Sequence, residues 1–257
     1  MADALFRRLV AAAAEPWGAY IRHNFVDLLA TGALPEARFR RYLIQDYLFL
    51  LHFARAWGLA VYKSDRLAEM RRAQRLVAAT LDVEIGLHID YCRGWGLSEA
   101  IMAAEPEALA TIAYTRFVLD RGLAGDRLDL ETALAPCVIG YGVIAAERIT
   151  DPGTRLDGNP YREWLEMYAG ADYQELVGEA KAALDEQFAR RGGDGRFPSL
   201  AATLATAARL EADFWQMGLD AAASPSPTSP VRSGDPRVSP SPHTRGEGWI
   251  EGGWPRL

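Results

Sequence analysis

Apolar residues recur at helical spacing from the N-terminus to about residue 222, and no convincing run alternates apolar and polar β-branched residues as a strand would. The pattern predicts helices near residues 2–14, 18–31, 35–63, 65–94, 105–123, 128–149, 159–170, 172–190 and 197–222. Pro35 suits a first helical position, and Gly94, Gly96 and Gly125 suit helix ends. Long helices with short connections favour antiparallel neighbours. We therefore predict an all-α bundle whose sites face its interior.

The composition changes abruptly at about residue 223. Residues 224–257 contain seven of the chain's 14 prolines, many serines and glycines, and no apolar periodicity. Such a segment cannot bury enough apolar surface to offset the entropy that is lost on ordering. The sequence therefore predicts two regions, a helical domain at 1–222 and a disordered, dispensable tail at 223–257.

Three reactive side chains interrupt apolar helix faces. Asp46 shares a face with aromatic residues, Cys137 directly follows Pro136, which should kink its helix, and Glu211 precedes Phe214 and Trp215. Burial among rings raises the pKa of a carboxyl, as a general acid requires, and a nucleophilic thiol needs a nearby base. The alternatives are a small core cysteine and an internal salt bridge of Glu211. We expect the three helices to converge on one pocket.

Charge and composition exclude several functions. The net charge of −6 and the pI of about 5.3 leave no basic surface for nucleic acid or for an anionic membrane. No run approaches the roughly 18 apolar residues of a membrane span, and the N-terminus lacks a signal-peptide pattern, so we expect a cytoplasmic protein. The two cysteines, Cys92 and Cys137, are too few for a disulfide framework and are expected to be free thiols.

Glu84 and His88 stand one helical turn apart, a spacing at which a carboxylate and an imidazole can bind one metal ion. A di-metal site of this type needs a second such pair from other helices, and no histidine lies between residues 128 and 222. We therefore expect no metal, and interpret the two residues as a helix-surface pair or as a hydrogen-bonded structural histidine. Tyr114 and Tyr168, taken singly, are typical core tyrosines.

Six short motifs together resemble the TenA, or thiaminase II, family in order and separation over about 170 residues. They are Gln45-Asp46-Tyr47, Glu84 with His88, Tyr114-Thr115, Pro136-Cys137 with Tyr141, Tyr168-Ala169-Gly170, and Glu211 before Phe214-Trp215. The resemblance implies a haem-oxygenase-like helical bundle without haem, a homotetramer, and a hydrolase of thiamin metabolism that acts on aminopyrimidines. The presence of the cysteine places the chain in the cysteine-bearing branch of that family.

Carried onto this chain, the resemblance implies a catalytic role for Cys137 as the nucleophile that adds to the pyrimidine ring. Glu211 would protonate the group that leaves the 5-methylene carbon, and Asp46 would bind the amino and nitrogen edge of the ring. The substrate would also be held by an aromatic cage of Phe49, Tyr114, Tyr141 and Tyr168. No cofactor is implied, because the ring itself accepts the electrons. The leaving group would be ammonia from 4-amino-5-aminomethyl-2-methylpyrimidine, or the thiazole where thiamin is accepted.

Three positions depart from the family pattern. Phe49 replaces a common tyrosine, which removes a hydroxyl from the cage and is expected to alter substrate preference. Val143 and Ala145 replace a glutamate and a glycine, which is expected to change the support around Tyr141. Two other classes stay open at this stage: a metal-dependent oxidase of the same architecture, suggested by Glu84 and His88, and a non-catalytic regulatory or binding member of the family.

Overall fold

The computed structural model describes residues 4–220, and all regular secondary structure in that range is helical, which confirms the predicted all-α class. The α-helices are α1 Leu5–Ala12, α2 Ala14–Ile21, α3 Asn24–Ala30, α4 Glu36–Tyr62, α5 Leu67–Ala78, α6 Ile85–Arg93, α7 Glu99–Ala104, α8 Leu109–Ala124, α9 Arg127–Ala135, α10 Tyr141–Thr150, α11 Arg162–Ala169, α12 Ala171–Arg191 and α13 Phe197–Asp220. Two π-helical segments join α5 to α6 (Ala79–Glu84) and α9 to α10 (Pro136–Gly140). The tail predicted at 223–257 lies outside the described residues.

Local hydrogen bonds explain where the predicted helices were wrong. The single helix expected at 18–31 is two helices, because the His23 ring accepts a hydrogen bond from the backbone N–H of Phe25 and starts a new helix. Helix α7 was not predicted; the Ser98 hydroxyl caps it by accepting from the N–H of Ile101. Pro35 precedes its helix as the N-cap instead of occupying the first helical position.

Helices α4 and α13 form the centre of the bundle. Helix α4 packs against α5, α8 and α13, and α13 also packs against α2 and α9. Their shared interior is strongly aromatic. Trp215 is fully buried and lies against the rings of Phe25, Tyr42 and Tyr141. Asp46 and Glu211 therefore project from the two central helices into the interior, as their apolar faces predicted.

The kink expected at Pro136 is a widened π-helical turn. Proline has no N–H to donate to the carbonyl four residues earlier, so the α-helical pattern cannot continue through it. Two hydroxyls hold the widened turn: Tyr20 donates to the carbonyl oxygen of Pro136 at 3.2 Å, and Tyr173 donates to that of Val138 at 3.0 Å. π-Turns of this kind often accompany functional sites. In this π-helical turn, Cys137 lies between the two residues whose carbonyl oxygens accept these hydrogen bonds.

We expect Gly140→Ala to destabilise the protein by about 2 kcal/mol, since a Cβ at Gly140 would lie 2.4 Å from the Tyr20 ring, too close for any real contact. The matched control is Gly58→Ala in α4, where a Cβ would meet nothing within 4 Å and helix propensity predicts an unchanged or slightly raised stability. Urea unfolding measures both. Equal stability of the two variants would contradict the role assigned to the Tyr20 contact.

The stretch Arg127–Thr150, which spans α9, the second π segment and α10, is long and apolar enough to cross a membrane by length and composition alone. The expectation that no run approaches a membrane span missed this stretch. In the structure, 89 % of its most apolar window is buried inside the domain. Burial of that kind is typical of a core helix, and here the buried stretch carries the cysteine.

Candidate active site

A small cavity lies between α4, the two π-helical segments, α11 and α12. Five of the seven residues predicted for the site line it: Asp46, Phe49, Cys137, Tyr141 and Tyr168. Tyr114 and Glu211 do not reach the cavity surface and lie behind it in the core, at 1 % and 2 % exposure. Apolar residues complete much of the wall, among them Leu50, Phe53, Leu76 and Leu176.

Cys137 faces the cavity. It keeps partial exposure, whereas its neighbours Pro136 and Val138 are buried. Burial raises the pKa of the thiol well above its ordinary value, and the charges of Glu211, Glu84 and Asp46 raise it further. The resting group is therefore a thiol, and any nucleophilic chemistry at Cys137 requires a base that removes its proton.

Glu211 is a buried acid that has no charged partner within residues 4–220. Burial raises its pKa to about 8, the Tyr114 hydroxyl opposes the rise, and the charge of Asp46 adds to it. Within residues 4–220 Glu211 forms no salt bridge, so the internal salt bridge considered from the sequence is wrong. Its Oε1 and the Tyr114 hydroxyl also make no hydrogen bond of ordinary geometry in the described residues. A carboxyl group with a pKa of about 8 is protonated at neutral pH, and it can donate its proton to a reacting group at neutral pH.

Asp46 is held by hydrogen bonds to one of its two oxygens. His88 Nε2 lies 2.7 Å from Oδ2, and the Tyr42 hydroxyl donates to the same atom at 3.2 Å. Because Asp46 also lines the cavity, its second oxygen, for which the described residues supply no partner, remains free for a ligand. The sequence missed Tyr42 as a site residue, although its spacing of four residues from Asp46 on one helix was a usable signal.

His88 and Asp46 must share a proton. The Nδ1 of His88 lies 2.9 Å from the carbonyl oxygen of Glu84, which only accepts, so Nδ1 carries a hydrogen. The contact between Nε2 and the carboxylate then needs a second hydrogen, on one group or the other. Burial lowers the pKa of His88, but the hydrogen bond and charge of Asp46, together with Glu84, outweigh it and raise the pKa. The buried pair therefore shares this second hydrogen.

The expectation of a helix-surface pair at Glu84 and His88 is wrong, since the two side chains are 8 % and 3 % exposed. The alternative of a hydrogen-bonded structural histidine describes His88 correctly, because both of its nitrogens have partners. Within residues 4–220, no group of three or more histidine, cysteine, aspartate or glutamate side chains is placed to hold a metal ion.

Aromatic rings stack around the cavity. Phe49 stacks on Tyr114 with centroids 5.2 Å apart, and Tyr141 packs against Tyr168 at 5.1 Å. Trp164 packs against both Tyr141 and Tyr168, and its Nε1 lies 3.4 Å from the Tyr42 hydroxyl. Tyr114 supports the ring of Phe49 from behind, so it contributes to the cage indirectly. Flat surfaces of this type suit a planar heterocycle.

We predict that Glu84→Gln raises the melting temperature by about 5 °C at alkaline pH and leaves it nearly unchanged at acidic pH. Burial raises the pKa of Glu84 to about 8, with His88 opposing and Asp46 adding. The folded state therefore binds a proton between the unfolded pKa near 4.5 and about 8, so stability falls as pH rises through that window. Glutamine has no proton to lose.

The measurement is thermal unfolding at about pH 4.5 and about pH 8.5. The matched control is Glu175→Gln on the exposed side of α12, which should behave as wild type at both pH values. A gain for Glu84→Gln of the same size at both pH values would contradict the assignment of the proton to Glu84.

The fold and the cavity define a helical domain with an aromatic cavity among its core helices. The model of the TENA/THI-4/PQQC family matches residues 11–221, and the chain belongs to that family. It is 39 % identical over 221 residues to an uncharacterized protein of Haemophilus influenzae, with 85 % of this chain and all of that protein covered. It is 35 % identical over 206 residues to the aminopyrimidine aminohydrolase of Halalkalibacterium halodurans, with 79 % of this chain and 91 % of that enzyme covered.

Solved structures give the same assignment. A TenA family transcription regulator from Silicibacter sp. TM1040 is 42 % identical and superposes with a TM-score of 0.80, covering 84 % of this chain and 96 % of that one. The resemblance to the TenA family that the six motifs indicated is therefore confirmed, together with the helical fold.

Proposed function

We propose that this protein is an aminopyrimidine aminohydrolase of thiamin salvage. It would convert 4-amino-5-aminomethyl-2-methylpyrimidine and water to the hydroxymethylpyrimidine and ammonia, and would cleave thiamin where that larger substrate is accepted. The observation that supports this most directly is the arrangement around Cys137: a thiol at the wall of an aromatic cavity, with three buried carboxyl groups close enough to raise its pKa. The name of the Halalkalibacterium halodurans relative supports the same reaction.

In this proposal Asp46 binds the amino and nitrogen edge of the ring through its free oxygen. His88 fixes the carboxyl group of Asp46 through Oδ2, and the Tyr42 hydroxyl donates to the same oxygen. A carboxylate that is oriented in advance loses little freedom when it binds a ligand. The aromatic side chains of Phe49, Tyr141 and Tyr168 would hold the two faces of the ring.

The bond changes balance as a simple hydrolysis. The Cys137 sulfur adds to the ring carbon next to the substituted one, and its proton passes to the ring nitrogen, which takes up the electron pair. That electron pair then expels the amine from the methylene carbon, and the protonated Glu211 gives its proton to the leaving nitrogen. Water adds to the exposed methylene and gives a proton back to Glu211, the sulfur departs with the proton of the ring nitrogen, and the ring is restored. The ring serves as the electron sink, so the residues do not require a cofactor for this step.

The proposal is tested by incubating the purified chain with the aminomethylpyrimidine and measuring the release of ammonia and of the alcohol in equal amounts. We expect turnover with both products. An inactive chain that also fails to bind the pyrimidine by calorimetry would refute the proposed function.

We also propose that the chain forms the homotetramer that the resemblance implies. Several large apolar side chains of α4, α5 and α8 are exposed in the single chain, which supports an apolar contact between copies: Tyr62, Leu67, Leu109 and Leu123. Multi-angle light scattering should give four times the chain mass of 28.3 kDa. A monomeric mass at micromolar concentration would contradict it.

A further inference from the structure

Glu84 is a buried acid at the wall of the cavity, and the reaction described above gives it no role. It lines the cavity together with Asp46 and Cys137 and is only 8 % exposed. The π-helical segment Ala79–Glu84 carries it, and the other π-helical segment, Pro136–Gly140, carries Cys137. Such segments occur frequently at functional sites. Each of the two therefore brings one ionisable side chain to the same cavity.

Burial sets the charge state of Glu84. The titratable groups close to it in the described part of the chain are Asp46 on α4, His88 on α6, Cys137, Tyr168 on α11 and Tyr173 on α12. Within residues 4–220 Glu84 forms no salt bridge, because His88 directs Nε2 to Asp46 and Nδ1 to the backbone carbonyl of Glu84. Burial raises the pKa of Glu84 to about 8, so at neutral pH it is a carboxylic acid with an O–H to donate.

Of the three carboxyl groups close to the Cys137 thiol, Glu84 alone both lines the cavity and has a hydrogen to donate there. Glu211 lies behind the cavity wall, and Asp46 shares its hydrogen with His88 through Oδ2 and leaves an acceptor oxygen for a ligand. An aminopyrimidine has N–H donors at its amino group and acceptors at its ring nitrogens. One acceptor and one donor on the cavity wall match that pattern.

We propose that Glu84 is a further catalytic residue: it donates a hydrogen bond to the ring nitrogen beside the carbon that Cys137 attacks, and it protonates that nitrogen as the sulfur adds. This inference rests on the proposed function. The O–H bond of Glu84 breaks as the ring N–H bond forms, and the S–H proton of Cys137 passes to the carboxylate that is left. The sulfur's proton thus reaches the ring nitrogen through Glu84. When the sulfur departs, both transfers run in reverse.

This role makes pyrimidine binding depend on pH. Glu84 loses its donor hydrogen when it ionises, so the affinity of the free protein should fall above about pH 8. In the complex, the hydrogen bond to the ring nitrogen favours the protonated acid and raises the pKa of Glu84 further. Since kcat reports the pKa values of the complex, no decline of kcat near pH 8 is expected from Glu84.

Two variants separate the hydrogen bond from the proton transfer. Glu84→Gln keeps an N–H that can donate at every pH but cannot give up its proton, whereas Glu84→Met has neither group. Calorimetry with the product hydroxymethylpyrimidine measures binding at about pH 6.5 and about pH 9.5. We expect the wild type to bind about 10-fold more weakly at the higher pH, as the loss of one hydrogen bond predicts. Glu84→Gln should bind equally at both values, and Glu84→Met weakly at both.

Steady-state kinetics measure the proton transfer. Glu84→Gln should lower kcat for ammonia release about 100-fold at neutral pH, and Glu84→Asp, which restores an acid on a shorter side chain, should recover part of it. A folding defect would not explain the loss, because Glu84→Gln is expected to be at least as stable as the wild type. Should Glu84→Met fail to fold, Glu84→Gln decides alone.

Glu211→Gln is the matched control for binding, since Glu211 has a similarly raised pKa but lies behind the wall. It should keep the 10-fold fall in affinity. A wild-type affinity that is equal at both pH values, a fall that Glu211→Gln abolishes, or a Glu84→Gln kcat within about 3-fold of wild type would overturn the role of Glu84. Wild-type turnover alongside any of these results leaves the proposed function standing. A wild type that neither binds nor turns over the pyrimidine removes both.

Discussion

Cys137→Ser is expected to lower kcat for release of ammonia from the aminomethylpyrimidine on the order of 10³-fold or more, with little change in pyrimidine binding. Serine is nearly the same size as cysteine and keeps the shape of the π-helical turn, but its hydroxyl is a far weaker nucleophile at the same site. The Cys137 thiol already has a raised pKa because of burial and the surrounding carboxyls, so its activation depends on a base in the cavity. Steady-state kinetics and calorimetry measure the two effects separately.

The other cysteine supplies the control. Cys92 is fully buried in α6 and does not line the cavity, so Cys92→Ala should keep wild-type kcat within about 2-fold. Labelling with a thiol-reactive reagent provides a second measurement. Bound pyrimidine should slow the labelling of Cys137 in the wild type, and this ligand-protected labelling should be absent in Cys137→Ser. A Cys137→Ser variant that retains wild-type kcat would remove the covalent step from the proposal.

Glu211→Gln should lower kcat about 10³-fold and change its pH profile. The pKa of Glu211 is raised to about 8 by burial, so the group is protonated below that pH and loses its proton above it. A wild-type kcat that depends on this acid should fall above about pH 8. Glutamine cannot donate a proton, so the remaining activity of the variant should show no decline in that range.

The measurement is kcat between about pH 6 and about pH 10 for the two proteins. Asp213→Asn is the matched control, since Asp213 lies on the exposed face of the same helix two residues away. A leaving group that departs without a proton, such as the neutral thiazole released from thiamin, should depend less on Glu211 than ammonia does. If the kcat of Glu211→Gln declined above about pH 8 as the wild-type kcat does, the titration would belong to another group.

The sequence placed Asp46, Cys137 and Glu211 in the interior of the bundle because their chemistry conflicts with the apolar faces that carry them. A carboxyl at Asp46 or Glu211 on an apolar helix face already indicates burial, and Pro136 beside Cys137 already indicates a broken helix. The structure places both carboxyl groups near the thiol, as those patterns predicted. Helix ends were predicted less well, because the break at His23 and the start of α7 each depend on one side-chain hydrogen bond.

The partners of the site residues could not be read from periodicity. The sequence left open whether His88 lies on a helix surface or is a hydrogen-bonded structural histidine, and it is buried because α6 packs on α4 opposite Asp46. His88 and Asp46 are 42 positions apart in the chain, so their contact depends on how α6 and α4 approach each other. Local spacing along the chain does not encode that approach. Tyr114 was expected in the cage and instead supports Phe49 from behind, for the same reason.

The sequence by itself determined the helical class, the two central acids and the cysteine at a proline break, because each of these depends on residues within a few turns of one another. The tertiary structure alone decided which groups meet: the shared proton of His88 and Asp46, and the isolation of Glu211 from any cation in the described residues. Burial and contact between distant helices set the pKa values and the free hydrogen-bonding atoms, and these depend on packing in three dimensions.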